Sequence, residues 1–404
     1  MVSTFEEILK KKSIFKDRTV LSPHYIPDVL PYREKYIEEI MKTLAPALKG
    51  QKPKNTFIYG KTATGKTSTI KYIMKDFTAT AEKMKCESII RYINCRMYNS
   101  RYRVMQKLLK EFFPEVEKAG YGVTYFYEKL IELLSKGKQV IVVLDEIDMI
   151  KDLDDLVYTF TRVNDELESK KGGLTIVGIS NKLDFKSMLD PRSRSSLYET
   201  ELVFPPYDSI QIKGILKQRI ELGFEKDVVT PGALNYISAI TAQESGDARY
   251  GLKLLLKAGD VAENLNKDKI EVEDVDRARA LVDYDLAAEA ISTLPPNHQL
   301  VLYTIAKLTL KKQTKLFSNT NDNDTYLFSG DVYENYVKIS KFFGKKPKSA
   351  RWYRQYINEL EMLGLISTLF TGKGIRGHTK VIKIGHNPND VISIINKNLG
   401  MQTR

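Results

Sequence analysis

The sequence predicts an α/β domain built on a largely parallel sheet, then a small helical domain, then a C-terminal helix-turn-helix unit with a hairpin. Three observations carry this. Aliphatic runs at 56–59, 89–94, 139–144 and 174–180 alternate with helical patterns across the first 206 residues, and short runs without polar alternation belong to strands covered on both faces. From residue 208 to about 285 the apolar spacing is helical throughout, as in Ile215, Leu216 and Ile220, and again in Leu252, Leu255, Leu256 and Ala258. In the last segment, strand-like runs at 365–370 and 379–384 flank a glycine-punctuated turn behind a helical pattern. The diprolines Pro205-Pro206 and Pro295-Pro296 mark the breaks, because the residue before a proline leaves helical geometry. The expected domains are therefore 1–206, 207–290 and 291–404.

Composition excludes several classes. With 42% hydrophobic and 28% charged residues among 404, the chain is an ordinary folded protein. Its longest aliphatic run, 140–144, is far below the roughly 20 residues a bilayer span needs. Residues 1–16 interleave charge with apolar side chains, unlike a secretory leader, so a cytoplasmic protein with no membrane partner is expected. Cys86 and Cys95 are the only cysteines; without a CxxC or histidine spacing they read as core thiols of a reducing compartment.

Net charge is +12, and it is unevenly placed. Residues 291–404 hold 17 Lys plus Arg against 7 Asp plus Glu, whereas the preceding 290 residues hold 46 against 44. One module therefore faces a polyanion while the other has a different task.

Gly60-Lys61-Thr62-Ala63-Thr64-Gly65-Lys66-Thr67 follows the first aliphatic run and opens a helical run near Ser68. The spacing is that of a phosphate-binding loop. Successive backbone N–H groups and a helix N-terminus surround phosphate oxygens, Lys66 places a charge at the β and γ phosphates, and Thr67 offers a hydroxyl to Mg²⁺. Ala63 stands where glycine is common and is expected to keep a negative φ. The run at 139–144 ends in Asp145-Glu146. Asp145 is the metal-side residue and Glu146 the group that polarises an attacking water. Asp148 is expected to cap the following helix.

Together with the segments around Asn181 and Arg249, these motifs resemble the AAA+ ATPases, and within them the archaeal Orc1/Cdc6 replication initiators. The resemblance covers about residues 20–390. It implies an AAA+ P-loop sheet with a helical lid and a C-terminal winged-helix domain. It assigns Asn181, ending Gly178-Ile179-Ser180-Asn181, to a sensor position near the γ-phosphate. Arg249, in Gly246-Asp247-Ala248-Arg249, is assigned to the lid over the nucleotide. In the segment 190–197 Arg192 resembles a finger that completes a neighbour's site, with Arg194 competing. Tyr25, Pro27, Val29 and Arg33, in a proline-stiffened strip, resemble the segment laid against adenine, with Arg33 available for phosphate or a carboxylate; Tyr207 joins the nucleotide set. Gly251 departs from the pattern, since a glycine inside a helix costs up to about 1 kcal/mol.

Two regions point to DNA. The 45 residues from Cys95 to Gln139 exceed a single-helix crossover, and their two helical patterns resemble the family's insertion, which approaches a minor groove. In the C-terminal domain, Ser349 can cap a helix running to about Leu363. There Arg351, Arg354, Gln355 and Asn358 share one polar face, with residue types that suit base edges in a major groove. Lys348 with Lys345 and Lys346 precedes it, and the basic hairpin carries Lys373, Arg376 and, at its far side, Lys380. His378 and His386 read as structural or phosphate-side residues.

The expectation is an ATP/ADP- and Mg²⁺-dependent origin-binding initiator with slow, switch-like hydrolysis. The family implies double-stranded origin DNA, the replicative MCM helicase and other Orc1/Cdc6 subunits as partners. Two alternatives are a transcription regulator using nucleotide as a structural cofactor and a signalling ATPase whose winged helix binds protein.

Overall fold

A computed structural model describes residues 13–23, 25–117, 120–167, 172–197, 199–316, 326–370 and 380–400. The chain divides into two compact units, 1–275 and 276–404. This division falls earlier than the break read at the second diproline.

In the first unit the elements run α1 (Glu34–Leu44), β1 (Asn55–Tyr59), α2 (Lys66–Met84), β2 (Ser88–Asn94), α3 (Arg101–Leu109), α4 (Val123–Ser135), β3 (Gln139–Asp145), α5 (Leu153–Glu166), β4 (Gly173–Ser180), α6 (Pro191–Leu197) and β5 (Glu199–Val203). The five strands form one sheet in the order β2-β3-β4-β1-β5, every pair parallel. In β1, β3 and β4 every residue is buried, which explains their unbroken aliphatic sequences. β5 is an edge strand with only Leu202 buried; its polar residues Glu199, Thr200 and Glu201 hid it from the sequence reading. Because β4 lies between β1 and β3, the C-terminal ends of these three strands converge, and ligands of open α/β sheets bind outside such ends.

One face of the sheet packs Ile58, Val143 and Ile179 against Ile70, Ile73 and Phe77 of α2. On the other, Phe57 and Leu144 meet Phe126, Leu130 and Phe160. The apolar positions of α3 and α4, the helices between β2 and β3, all enter this second core, and the rings of Tyr102 and Phe126 lie 5.0 Å apart.

Three helices follow the sheet: α7 (Ser209–Gly223), α8 (Pro231–Glu244) and α9 (Ala248–Asn264). Their starts are chemically marked. Asp208 and Gln211 form a reciprocal capping box at α7. Thr230 caps α8, with Pro231 in its first turn, and Asp247 caps α9. Gly251 is buried in α9, and a Cβ there would stand 3.1 Å from Thr241 Oγ1. Close packing of α9 on α8 thus offsets the helix propensity that glycine forfeits.

The elements α10 (Val272–Ser292), α11 (Pro296–Leu316), α12 (Ser329–Phe342), α13 (Ala350–Met362) and α14 (Pro388–Asn398) accompany β6 (Leu327–Phe328), β7 (Ile366–Phe370) and β8 (Lys380–Ile384). The three strands form an antiparallel sheet in the order β6-β8-β7. Leu300, Val301, Ile305, Tyr336, Tyr353 and Leu360 share the core of the second unit, and Ala287 and Ile291 from α10 enter it as well. Among the described residues no helix is long and apolar enough to cross a membrane.

Candidate functional site

Beyond the C-terminal ends of β1, β3 and β4, the first unit opens into a cleft. The loop 60–65 forms its floor. At Gly60 a Cβ would come within 2.4 Å of the Phe204 carbonyl, so only glycine lets the strand end turn here. Ala63 has φ of 58°, contrary to the negative value expected, because the loop curls through the left-handed region before α2. That helix begins at Lys66, two residues before the expected Ser68.

Lys66 is buried. Its Nζ donates to Gly60 O (2.8 Å), Lys61 O (2.7 Å) and Asn181 Oδ1 (2.9 Å). Burial lowers its pKa to about 8, partly offset by Asp145. Thr67 Oγ1 donates to Asp145 Oδ2 (2.8 Å), and Tyr92 OH donates to the same oxygen (2.7 Å). Glu146 has φ of 54°, and its buried Oε2 has no hydrogen-bond partner. A left-handed backbone and an unpartnered buried oxygen thus coincide at this residue.

Thr62, Ala63, Gly65, Lys66, Thr67, Ser68, Asp145, Glu146 and Asn181 line the cleft from the sheet side. Tyr207 and Arg249 line it from the lid side, and Tyr25 and Pro27 from the N-terminal strip. Asp247 Oδ1 accepts from Arg249 N (2.7 Å) and Tyr250 N (3.3 Å), which fixes the turn carrying Arg249. Gly60, Lys61 and Thr64 act behind the lining, through carbonyls and the Thr64 Oγ1 bond to Lys61 O (3.0 Å).

Several expectations are corrected. Arg33 is buried and not available to a phosphate: Nε and Nη2 donate to Thr64 O (3.0 and 2.8 Å), and Nη2 also to Pro205 O (3.2 Å). Its guanidinium lies 3.9 Å from the Tyr207 ring centroid, so it braces the loop from beneath. Val29 is exposed, outside the cleft lining. Asp148 caps nothing; its Oδ1 accepts from Ser180 Oγ (3.0 Å), one residue before Asn181. The expectation for Arg192 is not among those corrected: the residue is exposed on α6. Ser193 is buried, its N–H donating to Asp190 Oδ1 (2.7 Å), and Arg194 Nη2 donates to Leu189 O (3.4 Å).

In the second unit α13 matches the predicted helix. Ser349 occupies the N-cap position, but its side chain makes no capping bond. Tyr353, Tyr356, Ile357 and Leu360 are buried, while Arg351, Arg354, Gln355 and Asn358 are all exposed, as the spacing requires. Lys348 precedes them; its carbonyl accepts from Tyr333 OH (3.3 Å). Lys373, Arg376 and His378 lie outside the described residues. Lys380 is half-buried, its Nζ 3.1 Å from both Asn358 Oδ1 and Glu361 Oε2.

The ORC1-type DNA replication protein of Pyrococcus abyssi is 38% identical over 405 residues, covering 98% of this chain and 94% of that one. The chain belongs to this family. An Archaeoglobus fulgidus ORC1-type DNA replication protein 1 is 37% identical over 385 residues, 95% of this chain and 91% of that one. Family descriptions match along the chain: an AAA domain at 49–185, a Cdc6 AAA+ ATPase-type lid at 213–280, and a CDC6 C-terminal winged helix at 289–394. Among solved structures, the Aeropyrum pernix ORC1 protein in complex with DNA has 34% identity and a TM-score of 0.79, covering 96% of this chain and 98% of that one. The parallel sheet with lid and winged helix is thus the architecture of the Orc1/Cdc6 initiators.

Tyr92, a hydrogen-bond partner of Asp145, and Arg219, in the cleft lining, escaped the sequence reading. Tyr92 sits in an aliphatic run with nothing local to mark it. Arg219, in the apolar stripe of α7, is buried and lines the cleft. Its guanidinium lies 4.7 Å from the Tyr25 ring centroid, and Nη2 donates to Tyr25 O (3.2 Å). The charge embedded among Ile215, Leu216 and Ile220 was the available signal, since a buried arginine needs partners.

Proposed function

We propose that the chain is an ATP-dependent replication initiator. It binds origin duplex DNA through α13, the basic hairpin and the α3–α4 insertion, and helps to recruit the replicative MCM helicase. The observation that carries this reading is the convergence of Lys66, Asp145, Glu146, Asn181 and Arg249 on one cleft, in a chain whose family is ORC1-type. The relative solved with DNA supports the second half.

The cleft residues fit an Mg²⁺–nucleotide. Thr67 Oγ1 and Asp145 Oδ2 are paired hard oxygen donors of the kind Mg²⁺ takes. The bound ion would neutralise charge on the phosphate oxygens. Lys66 Nζ exchanges carbonyl partners for the β and γ phosphates, and the loop N–H groups enclose them. Glu146 Oε2, lacking a partner, accepts a hydrogen bond from the attacking water and orients it. Asn181 and Arg249 bracket the γ-phosphate from sheet and lid. Tyr25 and Pro27 cover the base, with Arg219 stacked behind Tyr25. Arg192 acts on the site of a neighbouring subunit. Slow turnover suits a switch in which occupancy sets the lid. The protein works in the cytoplasm on the nucleoid.

The test is equilibrium binding of the full chain to origin-bearing and unrelated duplexes with ATP, ADP or neither. Nucleotide-dependent preference for the origin duplex is expected, abolished by Lys66→Ala. Duplex binding indifferent to nucleotide and to Glu146→Gln would favour a regulator that uses nucleotide only as structure.

A further inference from the structure

On the exposed face of α13 two amide side chains are each fixed in one hydrogen-bonding sense. Gln355 Nε2 donates to Glu359 Oε1 (2.8 Å), one turn along the helix. The other carboxylate oxygen, Oε2, is taken by His298 Nε2. The His298 ring packs on Tyr356 with centroids 4.2 Å apart, and its buried Nδ1 has no partner, so Nε2 carries the proton. The bond from Gln355 and then that from His298 hold the Glu359 carboxyl below the usual range. An ionised carboxylate only accepts, so the amide must turn its nitrogen toward it.

Asn358 is fixed in the opposite sense. Lys380 Nζ lies 3.1 Å from its Oδ1 and 3.1 Å from Glu361 Oε2. Glu361 is itself pinned from β7, its Oε1 accepting from Thr368 N (3.1 Å) and Oγ1 (2.5 Å). An ammonium only donates, so Asn358 must turn its carbonyl toward it.

We propose that Glu359 and Lys380 are specificity-determining positioning residues that preset what this helix reads. Gln355 presents its carbonyl oxygen together with the remaining N–H on the same edge, the complement of adenine N6–H and N7. Asn358 presents its NH₂ group outward, the complement of an acceptor edge such as thymine O4 or guanine O6 and N7. Lys380 thus acts through Asn358, not as a phosphate clamp. The proposal rests on the reading of α13 as a DNA-facing helix.

The test measures base preference of the full chain on a randomised duplex library. For the wild type, one base pair preferring adenine is expected, with a neighbouring acceptor preference. Glu359→Gln supplies a side chain that both donates and accepts, so Gln355 can flip; the adenine preference should fall by about fivefold or more while mean duplex affinity is kept. Gln355→Ala should flatten the same base pair, and adding Glu359→Gln should then change nothing further. Lys380→Met should flatten the neighbouring position. An unchanged preference profile in Glu359→Gln overturns the proposal, as does a uniform affinity loss that persists in the Gln355→Ala background. Absence of duplex binding by the wild type is a separate readout, and it overturns the DNA reading together with this proposal.

Discussion

Lys66 and Glu146 illustrate how the cleft prepares side chains for a charged ligand. With a folded pKa near 8 and an unfolded value near 10.4, Lys66 binds fewer protons folded than unfolded between these values. Its burial penalty on stability therefore relaxes as pH rises from 8 toward 10. Triphosphate needs the ammonium, so nucleotide binding should take up a proton above pH 8, and affinity should fall as pH rises further. Calorimetry in buffers of different ionisation enthalpy reads this directly, with no uptake expected at pH 7. Glu146→Gln keeps the side-chain shape and removes the basic oxygen; ATP affinity should hold within a few-fold while hydrolysis drops by roughly 100-fold or more. The loop spacing and the acidic pair were legible because their chemistry is local to eight or nine residues. Tyr92, Arg219 and the true role of Arg33 were not, because each acts on a partner remote in the chain: Arg33 on the Thr64 and Pro205 carbonyls, Tyr92 on Asp145.

At the scale of elements, α9 shows one residue setting both a helix start and the turn that carries Arg249 into the cleft lining. Asp247 is half-buried, and burial raises its pKa, yet it accepts from two backbone N–H groups of the turn bearing Arg249. Asp247→Ala should cost about 1 kcal/mol in denaturant unfolding through the lost cap, and should weaken ATP binding by more than the fold is weakened. Buried strands were easy to read from sequence because a parallel strand needs apolar residues on both faces, as β3 shows throughout. β5 was missed because an edge strand needs only one covered face. Asp148 was misassigned for a related reason: an acidic residue after a strand resembles a helix cap, and only the adjacency of β3 and β4 reveals its bond to Ser180.

For the whole molecule, the charge asymmetry makes ionic strength the governing variable. Duplex affinity should fall linearly in log–log form with salt, and Arg351→Ala or Arg354→Ala should each reduce the slope by about 0.9 if the side chain meets a phosphate. A change confined to one base pair would instead mark a base contact. The chain also carries its own clock. Cys95 is fully buried, burial pushes its thiol up, and its N–H bonds the carbonyl of Asp145 (2.8 Å). Thiol reagents therefore meet this sulfur only after the core around it, next to the carboxylate-bearing strand end, has opened locally. The rate of its modification should drop when ATP is added, by the factor that ligand occupancy suppresses opening, reporting the local stability around Asp145 with no engineered label.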